Sequence, residues 1–240
     1  MKLIEKIKEK QADPVKGSPV TLAFIGDSVT QGCFELYKTG EESFQTEFRV
    51  EDGYHNKLRQ LLQLCYPSVP INMIHAGISG DNALTGLERL ERDVLAYQPD
   101  LTVVSFGLND CCAGMERLPK YEEALDTIFT RLDKGGGEAI FLTPNAMPHE
   151  VSPEETDTFT RSAFARMIET ANQTLPKFME AARGVCAKRG VPVCDCYRKW
   201  EILRQSGVDI TRLLANRINH PVEKMHWMFA VSLFEMIMGM

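Results

Sequence analysis

No run of about 18 apolar residues, the minimum for a membrane-spanning helix, occurs anywhere in this chain. Its most apolar stretch, Trp227 to Met240, is too short and carries Glu235. No secretory leader is expected either. Met1-Lys2-Leu3-Ile4-Glu5-Lys6-Ile7-Lys8-Glu9-Lys10 alternates charge with apolar residues and has neither a continuous apolar core nor a small-residue cleavage site. The pattern predicts a short amphipathic helix, with residues 1–18 as a helical N-terminal extension. A basic excess is absent: the formal net charge is -6 at pH 7, which offers no bulk attraction to nucleic acid. The seven cysteines are an odd number without regular spacing, which fits a reducing cytoplasm better than a disulfide framework. Neither Cys111-Cys112 nor Cys194-Asp195-Cys196 belongs to a pair of C-x-x-C motifs. Both read as buried thiols, and no metal is assigned.

What the sequence does contain is ordinary globular material: 240 residues, 44% hydrophobic and 25% charged. A chain of this length is expected to fold as one domain over residues 1–240. Five short apolar runs read as buried strands: Val20 to Ile25, Val69 to Ile74, Leu101 to Phe106, Ala139 to Thr143 and Val191 to Cys194. Helix-period segments lie between them: Tyr54 to Cys65, with Leu58, Leu61, Leu62 and Cys65 on one face, then Ala83 to Tyr97, Tyr121 to Asp133 and Phe159 to Arg189. Alternating strands and helices imply a parallel sheet covered on both sides, a three-layer α/β/α sandwich. Two connections are long for a compact fold, Gln31 to Gly53 and Pro144 to Thr158. Both follow strands at the sheet's carboxyl edge and are the expected walls of a substrate pocket.

The segment Ala23-Phe24-Ile25-Gly26-Asp27-Ser28-Val29-Thr30-Gln31-Gly32 ends an apolar strand in Gly-Asp-Ser and a second glycine. Such a turn lifts one hydroxyl to the edge where open α/β folds place their chemistry, although these residue types also make plain turns. Three more segments follow: Ala76-Gly77-Ile78-Ser79-Gly80-Asp81-Asn82, Ser105-Phe106-Gly107-Leu108-Asn109-Asp110 and Ile218-Asn219-His220-Pro221.

In this order and at these spacings the four blocks resemble the SGNH hydrolases, also called the GDSL esterase/lipase family, from about Pro19 to the C-terminal helix. The family's Ser, Gly, Asn and His would here be Ser28, Gly80, Asn109 and His220. The resemblance implies a five-stranded parallel sheet in the flavodoxin-like order 2-1-3-4-5. It also implies Ser28 as nucleophile and His220 as base. The oxyanion donors would be the backbone N–H of Ser28, the backbone N–H of Gly80 and the Asn109 side-chain amide.

Residue chemistry agrees with those roles. Acyl transfer needs a nucleophile, a base in reach and donors aimed at the developing oxyanion. Of the five histidines, His55 and His226 lie on helix-like segments, His149 in a loop and His75 at a strand end, where His75 and His149 could contact substrate. Asp27, Asp81 and Asp110 border the blocks and read as loop-holding residues, with Asp81 a cap for the following helix.

One departure stands out. Where the family has Asp-x-x-His, this chain has Arg217 three residues before His220. Either another carboxylate orients the imidazole, Asp209 being the nearest upstream, or a backbone carbonyl does and the site is a Ser–His dyad.

The expected activity is a cofactor-free serine esterase acting on a small-molecule ester, with carbohydrate O-acetyl groups the leading substrate. Lysophospholipase or thioesterase chemistry is an alternative within the family. The alternative outside it is a non-catalytic flavodoxin-like protein whose Gly26 to Gly32 loop cradles an anion or flavin phosphate.

Overall fold

The computed structural model describes residues 1–40 and 44–240, without the side chains of residues 36–38 and 44. Helix α1 (Lys2–Ala12) leads into β1 (Val20–Gly26), whose residues are all buried. Next come a one-turn helix α2 (Ser28–Gln31), strands β2 (Cys33–Lys38) and β3 (Phe44–Phe48), α3 (Tyr54–Cys65) and β4 (Ile71–Gly77). Then follow α4 (Ala83–Asp93), β5 (Leu101–Ser105), α5 (Leu108–Cys112), α6 (Leu118–Lys134) and β6 (Glu138–Leu142). The chain closes with α7 (Thr158–Arg189), β7 (Val193–Cys194), α8 (Cys196–Gln205) and α9 (His226–Met238).

The main sheet has five parallel strands in the order β4-β1-β5-β6-β7, which is 2-1-3-4-5 counted over its own strands. The helices form two covering layers, with α3 packed on α9, and α6 packed on α4 and α7. The three-layer α/β/α sandwich and its strand order are therefore those expected from the sequence. β1 lies between β4 and β5, with Gly26 paired to Gly77 on one side and to Ser105 on the other. Three strands thus end flush, and the segments leaving them converge at one carboxyl edge, where open sheets bind ligands.

Several boundaries move for local reasons. β4 begins at Ile71 instead of Val69, since Pro70 has no N–H to give to the ladder. α4 stops at Asp93, and Leu95–Tyr97 tightens into a 3-10 turn. On α3, Leu58 and Leu62 are buried as expected, but Cys65 is exposed at the helix's last position, where the apolar face has run past the sheet. α1 is docked on the domain: Leu3 and Ile7 sit in the core, and Lys6 bonds Asp100.

The largest difference lies in Gln31 to Gly53. The expected long loop contains the antiparallel pair β2–β3, which forms a separate two-stranded sheet; residues 41–43 of this stretch lie outside the described residues. Residues 144–157 contain no helix or strand. Among the described residues no helix is long and apolar enough to cross a membrane, and no group of three or more acidic, His or Cys side chains could hold a metal ion. The seven cysteines are all free thiols.

Candidate active site

Ser28 opens α2 directly after β1. Its predecessor Asp27 caps that turn, the carboxylate accepting from the Val29 N–H at 3.0 Å. As the first residue of a helix, Ser28 has a backbone N–H without an intrahelical partner. The approach of β4 to α2 is tight, because a Cβ on Gly77 would lie 2.4 Å from the Gln31 nitrogen. Glycine is required there for space. Gly80 is required for conformation: it has φ +80° with nothing near its Cβ position, in a turn closed by Asp81 N–H to Ile78 C=O at 3.2 Å. No partner holds the Gly80 N–H among the described residues.

His220 reaches this edge from a loop pinned on itself. Ala215 N–H donates to the His220 carbonyl at 2.7 Å, and Val222 N–H donates to that of Leu213 at 2.9 Å. Inside the loop, Asn216 Oδ1 accepts from the backbone N–H groups of Ile218, Asn219 and His220 at 3.1, 3.0 and 2.9 Å. Asn145, after β6, donates to the Asn219 carbonyl at 2.9 Å.

The imidazole is buried at 6% exposure between two partners. Nε2 lies 2.9 Å from Ser28 Oγ, and Nδ1 lies 3.1 Å from the carbonyl oxygen of Phe34. A carbonyl only accepts, so Nδ1 carries the proton and Nε2 presents its lone pair to the Ser28 hydroxyl, which donates. Burial pushes the His220 pKa down to about 4, opposed only by the Phe34 bond. The ring is therefore neutral near pH 7, and a neutral imidazole facing a serine hydroxyl can take its proton.

Among the described residues no carboxylate touches this ring. Asp209 does not fill the gap: its side chain is more than half exposed, accepts from the Thr211 N–H at 3.0 Å and pairs with Arg212 at 3.2 Å. Its place at the start of a 3-10 turn commits it to capping. Arg217, in left-handed backbone at φ 61°, pairs with Glu154 at 3.2 Å. Of the two readings open in the sequence, the geometry matches a histidine oriented by a backbone carbonyl.

On the far side of Ser28, Asn109 in α5 donates through Nδ2 to the carbonyl of Asp81 at 2.7 Å, beside Gly80. A primary amide has two N–H groups, and the second has no partner among the described residues. The three bordering aspartates hold loops. Asp110 Oδ1 accepts from the Ala83 N–H at 3.0 Å, while Asp81 accepts from Arg89 and Thr85. The cap of α4, however, is Asn82, which makes a capping box with Thr85; Asp81, buried at 7%, is turned inward to Arg89 instead. Burial pushes the carboxyl of Asp27 up to about 7 and that of Asp110 to about 6.

The other histidines are occupied elsewhere. His75 Nε2 bonds the Thr30 carbonyl at 2.8 Å, and His149 lies against Arg204. His226 Nδ1 accepts from the Tyr54 N–H at 3.1 Å. A cavity of about 210 Å³ is lined by Glu35 from the first long connection, Val151, Ser152 and Glu154 from the second, Phe164 and Ile168 from α7, and Asn216 and Arg217 from the His220 loop; Ser28 and His220 are not part of its lining. A larger cavity, about 450 Å³, opens at the amino edge of β5 around Pro99 and Thr102, away from Ser28.

Residues 24–228 match the model of the GDSL-like lipase/acylhydrolase family. Over 94 residues, 39% of this chain, the sequence is 38% identical to an acetylxylan esterase of Geobacillus stearothermophilus, and the match spans 41% of that protein. Among solved structures, the acetylxylan esterase Axe2 from Geobacillus stearothermophilus superposes with a TM-score of 0.66 at 22% identity, covering 92% of this chain and 94% of that one. LAE5, an alpha/beta hydrolase from the metagenome of Lake Arreo, gives 0.64 at 22% identity, with 92% and 95% covered. At these identities the superpositions speak for the fold.

Proposed function

Since the chain belongs to the GDSL-like lipase/acylhydrolase family, we propose that it is a serine esterase that removes O-acetyl groups from carbohydrate through an acyl-enzyme, without a cofactor. The observation that carries this reading is the 2.9 Å contact between Ser28 Oγ and His220 Nε2 in a buried, neutral-imidazole setting. Ser28 Oγ attacks the ester carbonyl carbon as His220 Nε2 takes its proton. The carbonyl oxygen becomes an oxyanion facing the N–H groups of Ser28 and Gly80 and the free N–H of Asn109. As the tetrahedral species collapses, His220 returns the proton to the departing sugar oxygen. A water, deprotonated by the same nitrogen, then releases the acyl group as the carboxylic acid.

The similarity to an acetylxylan esterase supports a carbohydrate O-acetyl group over the alkyl chain of a lysophospholipid. A phosphate-cradling protein would have no use for a histidine aimed at the serine. The seven free thiols support a reducing compartment, the cytoplasm.

The test is a screen of p-nitrophenyl esters of graded chain length beside acetylated xylo-oligosaccharides. Preference for acetyl, with acetate released from the sugars, is expected. A best substrate of eight or more carbons would move the assignment to lipid esters, and a flavin spectrum in the purified protein would end it. Asn109→Ala is expected to lower kcat by about 10²–10³ with little change in KM, as loss of one oxyanion donor does. A raised KM at unchanged kcat would make Asn109 a substrate-binding residue instead.

A further inference from the structure

The buried guanidinium of Arg89 has no part in the proton transfers, yet apart from Asp93 on its own helix every group it bonds lies on the oxyanion side of the site. Arg89 in α4 is 7% exposed. Its Nη2 donates to the carbonyl of Gly26 at 3.1 Å, the last residue of β1 and two before Ser28. Its Nη1 donates to the carbonyl of Ala76 at 2.7 Å, near the end of β4, and to Asp93 at 3.3 Å. Its Nε donates to Asp81 Oδ2 at 2.6 Å.

Asp81 is the joint through which this reaches the proposed donors. It directly follows Gly80 and closes the turn that gives Gly80 its positive φ. Its own carbonyl takes the Asn109 amide at 2.7 Å. The Gly26 carbonyl, besides Arg89, accepts from the Ile78 N–H at 3.1 Å, the first residue of the same turn. One planar, permanently charged fork thus ties the Ser28, Gly80 and Asn109 segments together.

We infer that Arg89 is a positioning residue for the oxyanion hole: by clamping the ends of β1 and β4 to Asp81, it sets the Gly80 N–H and the Asn109 amide against the backbone of Ser28. The inference rests on the esterase reading above. Its physical basis is that preorganised donors act through placement, and a displacement of about 1 Å at such a site can cost about 10²-fold in rate. Lysine cannot replace the fork, since its single ammonium cannot reach two carbonyls and a carboxylate in these fixed directions.

The test is Arg89→Lys, which keeps the charge beside Asp81. Expected is a fall in kcat of about 10- to 10²-fold at a KM within about twofold of wild type. A boronic acid that forms a tetrahedral adduct on Ser28 should lose affinity by a similar factor. The pH limb of kcat/KM, which reports His220, should stay in place, whereas a general loosening of the fold would shift it and raise KM as well. If Arg89→Lys does not fold, Asp81→Asn, which breaks the same clamp from the other end, carries the same readouts. Wild-type kcat and boronate affinity in a folded Arg89→Lys or Asp81→Asn protein would overturn the positioning role while leaving the esterase reading intact. A wild-type protein with no Ser28-dependent ester hydrolysis would instead remove the premise.

Discussion

Ser28→Ala is expected to remove ester hydrolysis almost completely, with kcat falling by about 10⁶-fold, the scale seen when a serine that works as a unit with its histidine is deleted. What remains should be the acceleration due to binding and the oxyanion donors alone, roughly 10³–10⁴ over water. KM should change little, because the hydroxyl contributes to the transition state and not to holding the sugar. The fold should survive. Ser28 is buried at 4% exposure, and alanine leaves almost the same volume while giving up one hydrogen bond to His220, a loss of about 1 kcal/mol. Circular dichroism and a melting curve check the fold. Acetate release under single-turnover conditions, with labelling by a fluorophosphonate, checks the chemistry. Turnover near wild type in the folded variant would refute Ser28 as nucleophile and with it the acyl-enzyme.

How much of this was legible in the sequence differs between the sheet and the site. The five main strands could be read because each is a short, mainly apolar run, β1 and β5 buried along their whole length, and the helices between them carry a 3.6-residue period. The hairpin β2–β3 could not: it pairs with itself instead of joining the main sheet, and the run from Cys33 to Phe48 has no signal that separates such a pair from a polar loop. The proposed site residues Ser28, Gly80, Asn109 and His220 could be picked out because each stands in a block at a strand end or loop with its own residue pattern. The partner of His220 was visible only as an absence, Arg217 in the acid's position. A backbone acceptor has no side-chain signature, and Phe34 lies 186 residues from His220 along the chain. Arg89 was hidden for another reason. An arginine on an amphipathic helix reads as a solvated charge, and only the tertiary packing of α4 against the ends of β1 and β4 turns it inward.

The carbonyl partner also dictates how activity should depend on pH. As the proposed base His220 works only when neutral, and its imidazolium is disfavoured by burial with no carboxylate beside it among the described residues, so its pKa stands near 4 instead of rising above the ordinary value of 6.5. The kcat/KM profile should therefore climb with pH along a single limb centred near 4 and be flat through neutrality. A triad would move that limb upward, since a buried negative charge stabilises the protonated ring. At these three sites stability falls as pH drops below 6.5: His55, His220 and His226 are buried as neutral rings with depressed pKa values, so the unfolded chain binds more protons there. Asp27 and Asp110 oppose this, being already protonated in the fold at pH values where they ionise in the unfolded chain. Initial rates with circular dichroism at each pH separate the two effects. His220→Ala should cost about as much as Ser28→Ala, because the pair acts as a unit. Asp209→Asn should stay within about twofold of wild type, whereas loss of a true triad acid costs about 10⁴ in kcat. Asp27 and Asp110, with carboxyls near 7 and 6, titrate where a histidine limb could be imitated, so Asp27→Asn and Asp110→Asn are the controls and should leave the limb in place. A limb near or above 6.5 that drops in a carboxylate variant with its fold intact would reveal an acid partner for His220 and refute the dyad.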